Sequence, residues 1–331
     1  MTLHLARRAS AAAVGGLVLC AVLLGGSTRA DALSLAPTDW SSTVDSVAPA
    51  DVPVEITMFT GGEAIRVRAL PGHEVIVPGY RREPYLRIAP DGATYVNVRS
   101  PAVAMNSTAT GTSSDAAADA SAPPDWVRLD HQGWVQWHDH RIHAMPGVSS
   151  PLHWNLPIIV DGQVVAIDGT LREDVPEHST ILVLLAGLVT ALTIGATLLA
   201  ALRTHHETVA ARAALIGSLL ATWSSTVVWI TTPTGFDPPL PLAILAGAAI
   251  FASVVALRPS PVRLVSTFVS VAALCGWVAI QWTLLTSAHV PASSAANPRW
   301  LVLALVSGLA IGSGIAGVRS VGADHAEIAP R

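Results

Sequence analysis

Two hydrophobic periods divide the chain. Up to about residue 179, apolar and polar positions alternate in short runs: "VEITM", "EAIRVRA", "HEVIV", "PYLRIA", "ATYVNV", "WVQWHDH", "HWNLPIIV" and "QVVAIDGTL". A period of two is that of strands with one buried face. Pro90-Asp91-Gly92 and Asp161-Gly162 fall between successive runs and carry hairpin-turn chemistry. About eight closely spaced strands, with no helical period of useful length among them, predict an all-β unit over residues 51–179, an Ig-like antiparallel sandwich. The stretch "NSTATGTSSDAAADASAPP", residues 106–124, has too little apolar surface to offset its ordering and predicts a mobile loop. Residues 33–50 read as a flexible lead-in.

From residue 181 the pattern becomes continuous. Five apolar runs, 181–202, 213–232, 240–257, 264–286 and 301–318, each approach the length of a membrane-crossing helix. They predict a five-helix region over 180–320 with a tail at 321–331. None of the runs contains Asp, Glu, Arg, Lys or His, and Gln281 is their strongest polar group. Ion pathways, proton relays and buried haem ligands need such groups, so the runs read as an anchor rather than a transporter. Gly308 and Gly312 give one small-xxx-small spacing for close helix packing.

The first 32 residues have a third pattern. Arg7 and Arg8 precede an apolar run from Ala11 to Gly26, and Ala30 and Ala32 follow, as in a secretory signal peptide. Cys20 lies in mid-run after Leu19, which argues against lipid attachment. With the β unit outside, the inward segments hold Arg203, Arg212, Arg258, Arg263, Arg319 and Arg331, against Arg299 alone in the outer loops. This fits the positive-inside rule and predicts a multi-pass cell-membrane protein with an extracytoplasmic N-terminal domain and a cytoplasmic C-terminus.

Composition narrows the chemistry. Over 331 residues, 51% are hydrophobic and 13% charged, which suits a membrane protein. All 19 basic residues are arginine. Cys20 and Cys275 both lie in apolar runs, which leaves no basis for a disulfide framework or a thiolate metal site. Residues 33–179 hold eighteen acidic residues against nine arginines, disfavouring nucleic acid as a partner. Neither G-x-S-x-G nor H-E-x-x-H occurs, and no carboxylate pair stands out, so nothing in the sequence supports an enzyme.

One segment concentrates donor chemistry. In "WVQWHDHRIHAMPG", residues 134–147, His138, His140, His143 and Met145 fall within eight positions. A strand through 134–142 would set His138 and His140 on one face, their Cβ atoms about 6.6–7 Å apart. His143 and Met145 join them if the chain bends ahead of Pro146-Gly147. Three imidazoles and a thioether suit copper first and zinc second. Asp139 is the candidate to orient an imidazole from behind, whereas Arg141 works against a bound cation. Alternatively, the segment is a sheet edge whose ring tips bond backbone or water. His73, His131 and His153 are weaker candidate ligands.

Several phrases together, "GYRREPYLRIAPDGATYVNVRSPAVAMN", "PPDWVRL", "WHDHRIHAM" and "NLPIIVDGQVVAIDGTL", resemble a group of uncharacterised actinobacterial membrane proteins. The resemblance spans roughly residues 50–320 and carries a W-H-D-H-R-x-H-x-M signature. Trp137, His138, Asp139, His140, Arg141, His143 and Met145 match it, while Ala144 stands where the group commonly has Trp. The resemblance implies a signal peptide, an extracytoplasmic β domain and C-terminal helices, and no activity. Taken together, the expectation is a membrane-anchored protein that senses, stores or delivers copper or zinc, with an envelope or metal-handling protein as its partner. The alternative is an envelope protein whose β domain contacts a protein or cell-wall partner without a metal.

Overall fold

The computed structural model describes residues 38–62, 64–106, 118–145, 147–176, 179–232, 236, 239–260, 262–289 and 299–327. The signal peptide and much of the 106–124 loop lie outside these residues. An antiparallel β unit comes first and a helical unit second.

Ten strands form the β unit: β1 Trp40–Ala48, β2 Val54–Met58, β3 Ile65–Ala69, β4 Val75–Pro78, β5 Pro84–Ile88, β6 Thr94–Asn97, β7 Trp126–Asp130, β8 Trp134–Trp137, β9 Leu152–Val160 and β10 Gln163–Glu173. Seven make one sheet in the order β1-β10-β9-β4-β5-β6-β7, and three make a second in the order β2-β3-β8. Alternation explains why they share a core. Ile65, Val67, Val135 and Trp137 from the small sheet meet Val75, Val77, Leu86, Ile88, Leu156, Ile158 and Ile167 from the large one. The β9–β10 hairpin turns at Asp161 and Gly162, with φ of 49° and 81°, the double positive φ of a type I′ turn.

Two expectations need correcting. The lead-in is not loose throughout, because β1 pairs with β10 from Trp40↔Glu173 to Ala48↔Ala166. Its alternation was hidden by a buried serine, Ser42, and by a register shift between Val44 and Ser46. Strand β7 was also missed, since four of its five residues are exposed at the sheet edge and carry no buried period.

The helical unit follows a short helix α1, Pro101–Asn106, within the β unit. Its helices are α2 Ser179–Arg203, α3 His206–Thr231, α4 Leu240–Ala256, α5 Arg263–Gln281 and α6 Arg299–Glu327. Four of them, α2, α3, α5 and α6, are long and apolar enough to cross a membrane. The fifth expected span is shorter: α4 has 17 residues, about 25 Å of rise against a hydrocarbon core of about 30 Å. Prolines cause this. Pro239 and Pro241 fix where the helix begins, and Pro259 and Pro261 follow its end. A polar knot joins three helices at the bundle centre, where the hydroxyls of Ser218, Ser253 and Ser270 lie 2.7–3.2 Å apart.

The two units touch. Thr38 and His289 exchange backbone bonds of 2.9 and 2.8 Å, and Phe59 packs edge-on against Phe236 with ring centroids 4.7 Å apart. Phe236 lies between α3 and α4, and His289 lies beyond α5. The end of the β unit nearest the helices therefore holds the start of β1 and the turn between β2 and β3.

Candidate metal centre

The histidine segment begins where the small sheet stops. Strand β8 pairs with β3 from Arg68↔Trp134 to Ile65↔Trp137, and the ladder ends there. His138 is already outside it, which corrects the expected strand through residue 142. A buried carboxylate breaks the strand. The Asp139 side chain is 0% exposed and accepts from Trp137 Nε1 at 2.8 Å, Arg141 Nη2 at 2.6 Å, Arg141 Nε at 2.8 Å and the Arg141 backbone N–H at 3.0 Å. These bonds turn the chain back on itself. The Ile142 N–H closes the turn on the Asp139 carbonyl at 3.1 Å, and the Ile142 side chain enters the core, fully buried.

The hook gathers the three histidines on new grounds. Strand parity no longer pairs His138 with His140; the turn does, with ring centroids 4.8 Å apart at 85°. It also brings His143 to 4.7 Å from His138 at 63°. All three residues are half-buried. Met145 is half-buried two residues on, its carbonyl accepting from Val148 N–H. His73, His131 and His153 are engaged elsewhere, with Asp161, Asp91 and Thr170 respectively. Asp139 serves the hook differently from expectation, since its bonds run to Trp137 and Arg141. Arg141, the expected obstacle to a cation, has its charge met by Asp139 and lies 4.9 Å from the Tyr80 ring centre.

The surroundings of His140 fix its chemistry. Its Nε2 lies 2.9 Å from the Met105 carbonyl. A carbonyl can only accept, so the proton sits on Nε2 and Nδ1 carries the lone pair. That Nδ1 is buried and has no hydrogen-bond partner, an unsatisfied acceptor of the kind that asks for an explanation. The His140 backbone N–H donates to Tyr80 Oη at 3.0 Å, and Tyr80 donates to Asn106 Oδ1. Helix α1 and Tyr80 thus hold one imidazole from behind. Sequence reasoning missed both partners: Tyr80 lies in the turn between β4 and β5, and Met105 in the apolar "PAVAMN" just ahead of the loop it had marked.

The pKa shifts follow from this burial. Burial would push the Asp139 carboxyl up, but the Arg141 and Trp137 bonds outweigh it and hold it below the usual carboxylate value. Burial raises the Tyr80 hydroxyl well above its ordinary range, with the Asp139 charge adding to it, and lifts Tyr85 to about 12. Burial lowers His143 to about 4, helped by His138 and His140 and opposed by a backbone hydrogen bond with Gly61. Neutral imidazole is the form that binds metals.

A pH dependence follows. The folded value of His143 lies below its ordinary 6.5, so this stabilisation is complete above pH 6.5 and drains as pH falls toward 4. His143 is only half-buried, so screening reduces the effect to about 1–2 kcal/mol. The unfolding midpoint should fall more between pH 7 and 4.5 in the wild type than in His143→Gln. Equal falls would show that His143 does not carry the dependence.

Among the described residues, no group of three or more His, Cys, Asp or Glu side chains stands ready-placed around one ion position. Family models, curated proteins and solved structures were compared with the chain, and none matches.

Proposed function

We propose that this chain is a membrane-anchored protein whose β unit, read as a two-sheet sandwich outside the cell membrane, binds a transition-metal ion on His138, His140 and His143. Met145 is the fourth ligand, and copper is preferred to zinc. The observation that carries the reading is the buried, unpartnered Nδ1 of His140, its tautomer fixed by the Met105 carbonyl. A ligating histidine is held in this way, its second nitrogen donating to a carbonyl or carboxylate. Ring spacing gives further support. Two imidazoles bound tetrahedrally at about 2.0–2.1 Å have centroids about 5 Å apart, close to the 4.8 and 4.7 Å found here. The three rings are not convergent as placed, so ion binding includes a closing movement of the hook. Thioether and imidazole together favour copper.

For the membrane arrangement we propose five spans, with α4 as a short fifth. The β unit meets Phe236 and His289, which lie at one end of an alternating helix path. Arg203, Arg258 and Arg263 fall at the opposite turns of that path. The protein would sense, store or deliver its ion. A second reading, contact with an envelope protein or cell-wall partner, draws on edge strand β7, where Val127 and Leu129 face solvent.

Titration of the full chain in nanodiscs with Cu(I), Cu(II) and Zn(II) tests the metal reading. The His138→Ala/His140→Ala variant should bind at least about 100-fold more weakly than the wild type, a loss of about 2.7 kcal/mol. Equal affinities, or wild-type binding no tighter than an ordinary surface histidine pair, would overturn it.

A further inference from the structure

The histidine hook and the membrane-side loops are joined by one wedge of backbone. Gly61 and Gly62, with φ of 71° and 75°, stand between them. On the hook side, Gly61 bonds the His143 ring through its backbone, and a Cβ on Gly62 would lie 2.1 Å from the Ile142 carbonyl oxygen. On the other side, a Cβ on Gly61 would lie 2.5 Å from Thr38 Cγ2, and one on Gly62 3.1 Å from Ser42 Cβ. Thr38 is the residue bridged to His289. Around that bridge, Asp39 Oδ1 accepts the Ala288 N–H at 2.7 Å. Asp174 Oδ2 meets His289 Nε2 at 2.7 Å and the Ser41 hydroxyl at 2.6 Å. Phe59, just before the wedge, covers Phe236. The steps at Ile142 and at the Thr38–His289 bridge are backbone contacts, and those at Thr38 Cγ2, Ser42 Cβ and Phe59 are close side-chain packing, so a displacement at one end is passed along the chain of contacts.

We propose that ion occupancy of the hook is coupled to the seating of the β unit on the loops at Phe236 and Thr286–His289, so that the chain reports its metal to the helices. This rests on the metal reading above and adds to it a role in sensing. In this structure the Thr38–His289 bridge is closed and the three rings do not converge on one ion position. Drawing His143 and His138 onto one ion moves Ile142 and Gly61, and that movement loads the bridge. Ion binding and seating therefore oppose each other, and by linkage weakening either one favours the other.

The test uses the full chain in nanodiscs and the variant Asp174→Asn, which weakens the pairing with His289 and Ser41 while leaving every imidazole in place. Zn(II) and Cu(II) should bind the variant at least about five-fold more tightly than the wild type. In the wild type, ion addition should speed amide exchange at residues 38–41 and 286–289. Wild-type binding with an unchanged or weaker variant affinity, or with unchanged exchange at those residues, overturns the coupling and leaves the metal reading standing. Absence of wild-type binding overturns both. If Asp174→Asn fails to fold, the exchange measurement on the wild type alone decides.

Discussion

Asp139→Ala should destabilise the β unit by about 3–5 kcal/mol, the range for removing one partner of a buried ion pair. The carboxylate is wholly buried and receives four hydrogen bonds from Trp137 and Arg141. Without it, the Arg141 guanidinium, whose side chain is 23% exposed, keeps its charge and loses its counterion. The Trp137 indole N–H loses its acceptor in the same core. Arg141→Ala should cost a similar amount by stranding the opposite charge. The double variant Asp139→Ala/Arg141→Ala should cost clearly less than the sum of the two, because no uncompensated charge remains. Thermal unfolding of the three variants against the wild type measures this. An Asp139→Ala variant within about 1 kcal/mol of wild type would show that the hook is held by Ile142 and the ladder alone. On the proposed metal reading the variant should also bind ions more weakly, since the turn that brings the rings together depends on the same carboxylate.

This dependence explains how much of the site was legible. The residue types were: three histidines and a methionine in eight positions mark donor chemistry whatever the backbone does. The geometry was not, because strand parity is a local rule and Asp139 overrides it with bonds to its own neighbours at positions 137 and 141. Parity set Asp139 on the face away from the histidines and allowed it a supporting role toward an imidazole; the fold uses it to end the strand. The pairing of His138 with His140 was reached by the wrong route, since a turn rather than a pleat brings the rings together. His140's support from Met105 and Tyr80 spans 35 and 60 residues of sequence, a separation that no local pattern encodes.

The fold divides in the same way. Hairpins with strong turn chemistry, such as Asp161-Gly162, were readable because turn type and strand alternation are both local. Strand β1 was not, because its evidence is its partner: Ser42 is buried by donation from Trp154 Nε1 at 3.1 Å, not by an apolar side chain. Apolar composition located the helices, but the length of α4 depended on prolines at its ends, which a hydropathy count ignores.

Gly62→Ala should be nearly as damaging as loss of Asp139, for a reason confined to backbone. Gly62 has a φ of 75°, which costs an alanine about 1 kcal/mol in conformation alone. Its added methyl would also sit 2.1 Å from the Ile142 oxygen and 3.0 Å from the Ile142 carbon. Neither atom belongs to a flexible side chain. Ile142 is locked by its bond to Asp139 and by a core side chain with no exposure, so relief requires moving the whole hook. Overpacking of this kind adds about 1–3 kcal/mol, for a total of about 2–4 kcal/mol. Gly72→Ala separates the two contributions. Gly72 has a φ of 91° and nothing within 4 Å of an added methyl, so its variant should show the conformational cost and no clash. Thermal unfolding should therefore rank Gly62→Ala well below Gly72→Ala, and, on the proposed metal reading, ion titration should find affinity reduced only in the former. If the two variants melt together, the wedge has slack, and the hook is not pressed against Gly62 as the distances imply.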